Sequence, residues 1–196
     1  MISIHVKIEG QTPLLMNRFT EAAEIKVSSG TSAAVKSKSK LSPREQAATK
    51  AYADDDGNLF IPGPNIFACI IQAGTFHKIG KKSVTTLKSS LIPAAVSLTD
   101  IVCDLDTKDF EVDSRSVVIP STGGRIMCHR PRLDSWACSF TLEVDEDMFH
   151  TDFVREIVED AGRKVGLGDF RPSRKGPFGK FAISEWTVEK NVKRAA

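Results

Sequence analysis

Residues 166–181 read GLGDFRPSRKGPFGKF, with four glycines, two prolines and four cationic side chains in sixteen positions. Glycine has no Cβ, tolerates positive φ and lets other groups close to its backbone, so a run this rich in glycine and proline continues neither helix nor strand. The segment is a loop, and its flanks decide the fold. Upstream, Phe149, Phe153, Val154, Ile157, Val158, Ala161 and Val165 recur at helical spacing, with Asp152 in the first turn and Gly162 or Gly166 as the stop. Downstream, Phe178 to Val188 reads as a final strand.

Further out, Ile2, Ile4, Val6 and Ile8 alternate with Ser3, His5, Lys7 and Glu9, predicting a half-buried strand over 2–9. Gly63 and Pro64 open a helix at about 65–77, where Ile66, Phe67, Ile70, Ile71 and Phe76 mark one face. Residues 89–98 and 110–120 read as strands. Trp136, Cys138, Phe140, Leu142 and Val144 alternate in another, which ends in the acidic turn 145–147. The order strand, helix, strands, helix, strand predicts an α+β fold with a ferredoxin-like, RRM-like βαββαβ core. Two long insertions decorate it. Residues 25–43 have the Ser/Lys/Gly/Ala composition of a mobile loop, and residues 115–133 predict a projecting basic β-hairpin around Gly123 and Gly124.

The 196 residues, 41% apolar and 27% charged, suit a single domain over the whole length. No apolar run is long enough to cross a bilayer, and the start alternates where a signal peptide is continuously apolar, so a cytoplasmic protein without a membrane partner is expected. Cys69, Cys103, Cys128 and Cys138 form no CxxC pair and are expected to be reduced, partly buried thiols. A net charge of +2 conceals a sorted pattern. Residues 57–99 hold no acid but carry Lys78, Lys81, Lys82 and Lys88; residues 115–133 hold none but carry Arg115, Arg125, Arg130 and Arg132. Residues 100–113 set six acids against Lys108, and 143–160 set eight against Arg155.

Three basic segments are therefore candidate nucleic-acid contacts. In the glycine loop, Gly166, Gly168, Gly176 and Gly179 are read as bringing backbone N–H groups to phosphate, with Arg171, Arg174, Lys175 and Lys180 supplying charge; the competing reading is a flexible connector. Arg125, His129, Arg130 and Arg132 form an arm able to follow a strand, or a charged hairpin edge. Lys81, Lys82 and Lys88 follow a helix among hydroxyl residues. A Walker loop is excluded because no GK[ST] occurs and the loop precedes a strand. No catalytic pair, metal site or cofactor is expected: His5, His77, His129 and His150 are scattered, Asp54, Asp55 and Asp56 lack the downstream Glu of a calcium loop, and no serine sits in GxSxG.

A helix running into GLGDFRPSRKGPFGKF before the last strand resembles the RAMP superfamily of CRISPR-associated proteins. TPLLMNRF after the first strand, the insertion and the basic hairpin resemble its backbone subunits, and TPLLMNR with GDFRP is also similar to phage and prophage proteins. The resemblance implies an RNA-binding or single-stranded-DNA-binding subunit that coats a guide-like strand as a homo-oligomer, with other complex subunits as further partners, and the sorted acidic and basic segments suit a head-to-tail assembly. Two alternatives stand beside it. One is a metal-independent endoribonuclease of the same superfamily with His129 or His77 as general base; the other is a phage assembly protein whose basic face meets an acidic partner.

Overall fold

The structure, a computed structural model, describes residues 1–19, 41–118 and 123–189. It is a mixed α+β chain built on several antiparallel sheets. β1 (Ile2–Gly10) buries Ile2, Ile4, Val6 and Ile8, as its alternation requires, and β2 (Leu14–Leu15) follows. α1 (Pro43–Ala48) starts at a capping box in which Ser42 Oγ accepts from the Glu45 amide and the Glu45 carboxylate accepts from the Ser42 amide. The 25–43 insertion falls outside the described residues except for 41–43, and there this cap takes the place of the expected loop.

β3 (Phe60–Pro62) leads into α2 (Gly63–Ala73). The predicted helix over 65–77 ends early because Gly74 opens a 3₁₀ turn, Gly74–Phe76. A small hairpin, β4 (Lys78–Ile79) and β5 (Lys82–Ser83), comes next. The strand expected over 89–98 is corrected: Ile92–Ala95 form a helical turn, α3, with Pro93 in its first turn, and only β6 (Val96–Leu98) is strand. Proline lacks the ladder N–H but fits the first turn of a helix.

β7 (Val102–Asp104), β8 (Glu111–Val118), β9 (Arg125–Leu133) and β10 (Ala137–Val144) follow. α4 (Thr151–Asp160) continues into a π turn, Ala161–Val165, and β11 (Phe181–Glu189) closes the chain. The main sheet has the order β11-β1-β10-β6, and each neighbouring pair is antiparallel. Ile66 and Ile70 of α2 and Val154, Ile157 and Val158 of α4 share one core with the inward residues of this sheet. Its other face carries His5, Lys7, Ser139, Thr141, Glu185 and Thr187, with Lys7 Nζ 3.1 Å from Glu185 Oε1. Among those six positions there is no Phe, Tyr or Trp; the one aromatic ring is His5, whose Nδ1 lies 3.2 Å from Thr141 Oγ1 and whose Nε2 lies 3.5 Å from Glu189 Oε2.

The basic hairpin belongs to a second sheet of order β2-β9-β8, in continuous register from Glu111↔Arg132 to Val118↔Arg125. Its turn, 119–122, lies outside the described residues. Pro131 and Leu133 bury the base of β9, while Ile126 and Met127 near the tip are exposed.

Candidate nucleic-acid interface

The glycine loop is stitched to the chain segment between β1 and β2 and to β2 itself. Gly179 donates to the Pro13 carbonyl at 2.9 Å, Asp169 to Leu15 at 2.8 Å, and the Lys180 amide to Thr12 Oγ1 at 2.9 Å. Within the loop region Gly166 donates to Ala161 at 2.8 Å, Leu167 to Gly179 at 2.9 Å and Gly176 to Arg171 at 3.0 Å. The amides of Gly166, Gly176 and Gly179 are thus already taken, which corrects the picture of four glycines offering N–H groups to phosphate. Of the four, Gly168 alone has an amide without a partner among the described residues. A flexible connector is equally far from what is seen. The glycines are required by close packing: a Cβ at Gly179 would lie 1.8 Å from the Leu167 oxygen.

Asp169, the loop's acidic residue, ties it to the basic hairpin. Its Oδ2 accepts from Arg130 Nη1 at 2.7 Å and from Asn17 Nδ2 at 3.2 Å. Arg130 Nη2 donates to Asp113 Oδ2 at 3.2 Å, and Asp113 Oδ1 accepts from Arg115 Nε at 2.7 Å. The Arg115 guanidinium lies 4.7 Å from the centre of the Phe178 ring. Arg130 is only 5% exposed, so its expected place along a nucleic-acid backbone is corrected. Burial opposes its charge, and the hydrogen bond and charge of Asp169, with Asp113 behind it, more than offset that, holding its pKa above the ordinary value.

Other expected contacts are partly committed too. Arg132 Nε is 2.8 Å from Asp134 Oδ1. His129 Nδ1 is 2.7 Å from Ser114 Oγ, and its carbonyl accepts from Lys50 Nζ at 2.9 Å. Arg171 donates to Ser173 Oγ at 3.0 Å and to the Gly168 carbonyl at 2.8 Å. Arg125, Arg174, Lys175, Lys180, Lys81, Lys82 and Lys88 have no ion pair among the described residues. The structure therefore joins two of the three basic segments, the glycine loop and the hairpin. No described hydrogen bond or ion pair links Lys81, Lys82 or Lys88, on and after the β4–β5 hairpin, to either of them.

The histidines differ from their scattered appearance in one respect. His77 Nε2 lies 3.1 Å from Asp160 Oδ2, and both side chains are nearly buried. Arg163 Nη2 and Lys164 Nζ hold the same carboxylate at 2.7 and 2.6 Å. Burial pushes the Asp160 carboxyl up, but the hydrogen bonds and charges of Lys164 and Arg163 outweigh it and keep it below its ordinary value. Asp54 uses its carboxylate within its own turn, accepting from the Asp56 amide at 3.0 Å and the Asn58 amide at 2.8 Å.

The residues that sequence reasoning left out of the site, Asp113, Asp160 and Asp169, are acids. A signal for one existed: Asp169 stands alone among the loop's cations. Comparison with protein-family models gives no match to this chain, and comparison with curated proteins gives none either.

Proposed function

We propose that this chain is a non-catalytic subunit that binds single-stranded nucleic acid, RNA or DNA, as the RAMP-like resemblance implies, and that it coats the strand as a head-to-tail assembly in the cytoplasm. The strand order β11-β1-β10-β6, with α2 between β1 and β6 and α4 between β10 and β11, supports a ferredoxin-like core for it. One observation carries the proposal. The glycine loop and the basic hairpin are locked together through Asp169, Arg130 and Asp113, while Arg125, Arg174 and Lys175 are left exposed and without carboxylate partners among the described residues. Phosphates attract unpaired cations and release bound counterions on contact, which makes such binding salt-dependent. The polar sheet face, with its Lys7–Glu185 pair, is the poorer candidate surface.

The test is fluorescence anisotropy on labelled single strands at several salt concentrations. Replacing Arg125, Arg174 and Lys175 with Glu is expected to weaken binding of every sequence alike. It should flatten the slope of log affinity against log salt by roughly 0.7 for each phosphate that the protein no longer neutralises. An unchanged slope in a variant that folds, or a wild type that binds no strand, overturns the proposal.

A second reading, the endoribonuclease, rests on the close approach of His77 Nε2 to Asp160 Oδ2, 3.1 Å, a contact in which His77 Nε2 makes no hydrogen bond among the described residues. A cleavage product that disappears in His77→Gln while strand binding persists decides for it.

A further inference from the structure

Between α2 and the glycine loop lies a cleft of about 270 Å³. We propose that it receives one unstacked nucleobase of the bound strand, an inference that rests on the single-strand reading above. One wall is a helical stripe: Ala68 and Cys69 follow Asn65 by three and four positions and precede Gln72 by four and three, so the four share a face of α2. Cys69 anchors that face. Its thiol donates to the Gly166 carbonyl at 3.3 Å, and burial pushes its pKa up to about 12, so it is an inert packing group and no nucleophile. Ala68 is too short to fill the space between the two carboxamides, and the slot is the result.

The opposite wall is the loop. Gly168 contributes its unpartnered N–H, and Arg171 is held in place by Ser173 and the Gly168 carbonyl. Tyr52 lines the cleft as well, with a half-buried ring and a hydroxyl that has no partner among the described residues.

The chemistry selects the ligand. Each carboxamide offers both donors and an acceptor, which suits the mixed edge of a heteroaromatic base. An aromatic ring and a planar guanidinium suit its faces. A phosphate is disfavoured because Asp169 also lines the cleft, and a metal ion is disfavoured because Asp169 is the one carboxylate there among the described residues and already accepts from Arg130 and Asn17. The volume is near the lower end of ligand pockets, roughly 300 Å³, which admits one base and no base pair. Arg174 and Lys175 lie on the same loop to hold the flanking phosphates.

The experiment compares single strands of one length with strands of abasic sites that keep every phosphate. Wild type is expected to bind the base-bearing strand roughly 5- to 150-fold tighter, the range that loss of base stacking gives. Replacing the exposed Asn65 and Gln72 together with Ala should erase most of that preference and leave the salt slope unchanged. Tyr52→Leu should do the same if it folds, and the double variant decides if it does not. Equal weakening on both strands, or an undiminished preference in the double variant, overturns the base pocket while leaving strand binding intact. No binding of either strand by wild type overturns the single-strand reading itself. Titration with AMP and UMP separates the two sources of a base: tight mononucleotide binding that a strand does not displace overturns the strand assignment, and displacement by the strand upholds it.

Discussion

At Gly168 the fold itself requires glycine, whatever its open amide meets. Its φ is +71°, and a Cβ there would lie 2.4 Å from the Leu15 oxygen. Alanine would meet both left-handed strain and backbone, whereas Gly80, at φ +59°, has nothing within 4 Å. Gly168→Ala is expected to lower stability by about 3 kcal/mol, and Gly80→Ala by about 1 kcal/mol, the cost of left-handed strain alone. Equal losses in urea unfolding would show that the close approach to Leu15 is irrelevant. Arg130 makes the same point with charge. Arg130→Met removes the buried partner of Asp113 and is expected to cost about 3 kcal/mol, while exposed Arg174→Met should stay within about 0.5 kcal/mol of wild type. Neither the salt slope nor affinity should follow Arg130 beyond what instability explains. A slope that flattens in a folded Arg130→Met protein would return that residue to the surface.

At the scale of elements, the end of α4 is organised by Asp160. Gly162 lets the following π turn pass against β11, because a Cβ there would meet the Phe181 oxygen at 2.1 Å. The turn brings Arg163 and Lys164 onto the carboxylate, with His77 on its other side and Glu156 and Glu159 along the same groove. The carboxyl titrates below its ordinary value in the folded chain, so folding is favoured by its ionised form. That contribution is complete above the unfolded value of roughly 4 and is lost as pH falls through the lower folded value. Asp160→Asn is expected to cost about 1–3 kcal/mol at pH 7 and to unfold with a shallower pH dependence below pH 4. Parallel curves for wild type and variant would deny Asp160 that role.

For the whole molecule, the sorted charges of the sequence are only partly available to a partner. Asp113 is buried against Arg130, Asp109 pairs with Arg44, Asp100 accepts the Thr141 amide and Asp160 is enclosed by cations. Among the described residues Glu143, Glu146 and Asp147 have no cationic ion-pair partner, and Arg174 and Lys175 have no carboxylate one. A protomer with surfaces of both signs can stack head to tail along a strand, and such contacts weaken with salt. Sedimentation with strands of increasing length is expected to show proportionately more protomers, fewer at high salt. One protomer per strand at every length would remove the assembly while leaving binding in place.

The alternation in β1 and β10 and the apolar stripe of α4 were legible in the sequence because burial there repeats with the local geometry of strand and helix. The capping box at Ser42 and Glu45 is an equally local feature, but residues 25–43 read as a loop on composition and the cap was not found there. The presence of acid-free basic segments was also readable, since it is a property of neighbours in the chain. Which cations stay available was not. Arg130 meets Asp113 at 17 positions and Asp169 at 39, and no local pattern encodes pairings of that range. The same holds for the Gly179 amide, whose acceptor at Pro13 comes from the other end of the chain, and for the cleft, whose walls are far apart in sequence. Periodicity is set by each residue's own backbone, whereas hydrogen bonds, ion pairs and cavities arise only when the tertiary fold brings distant groups within reach and excludes water from between them.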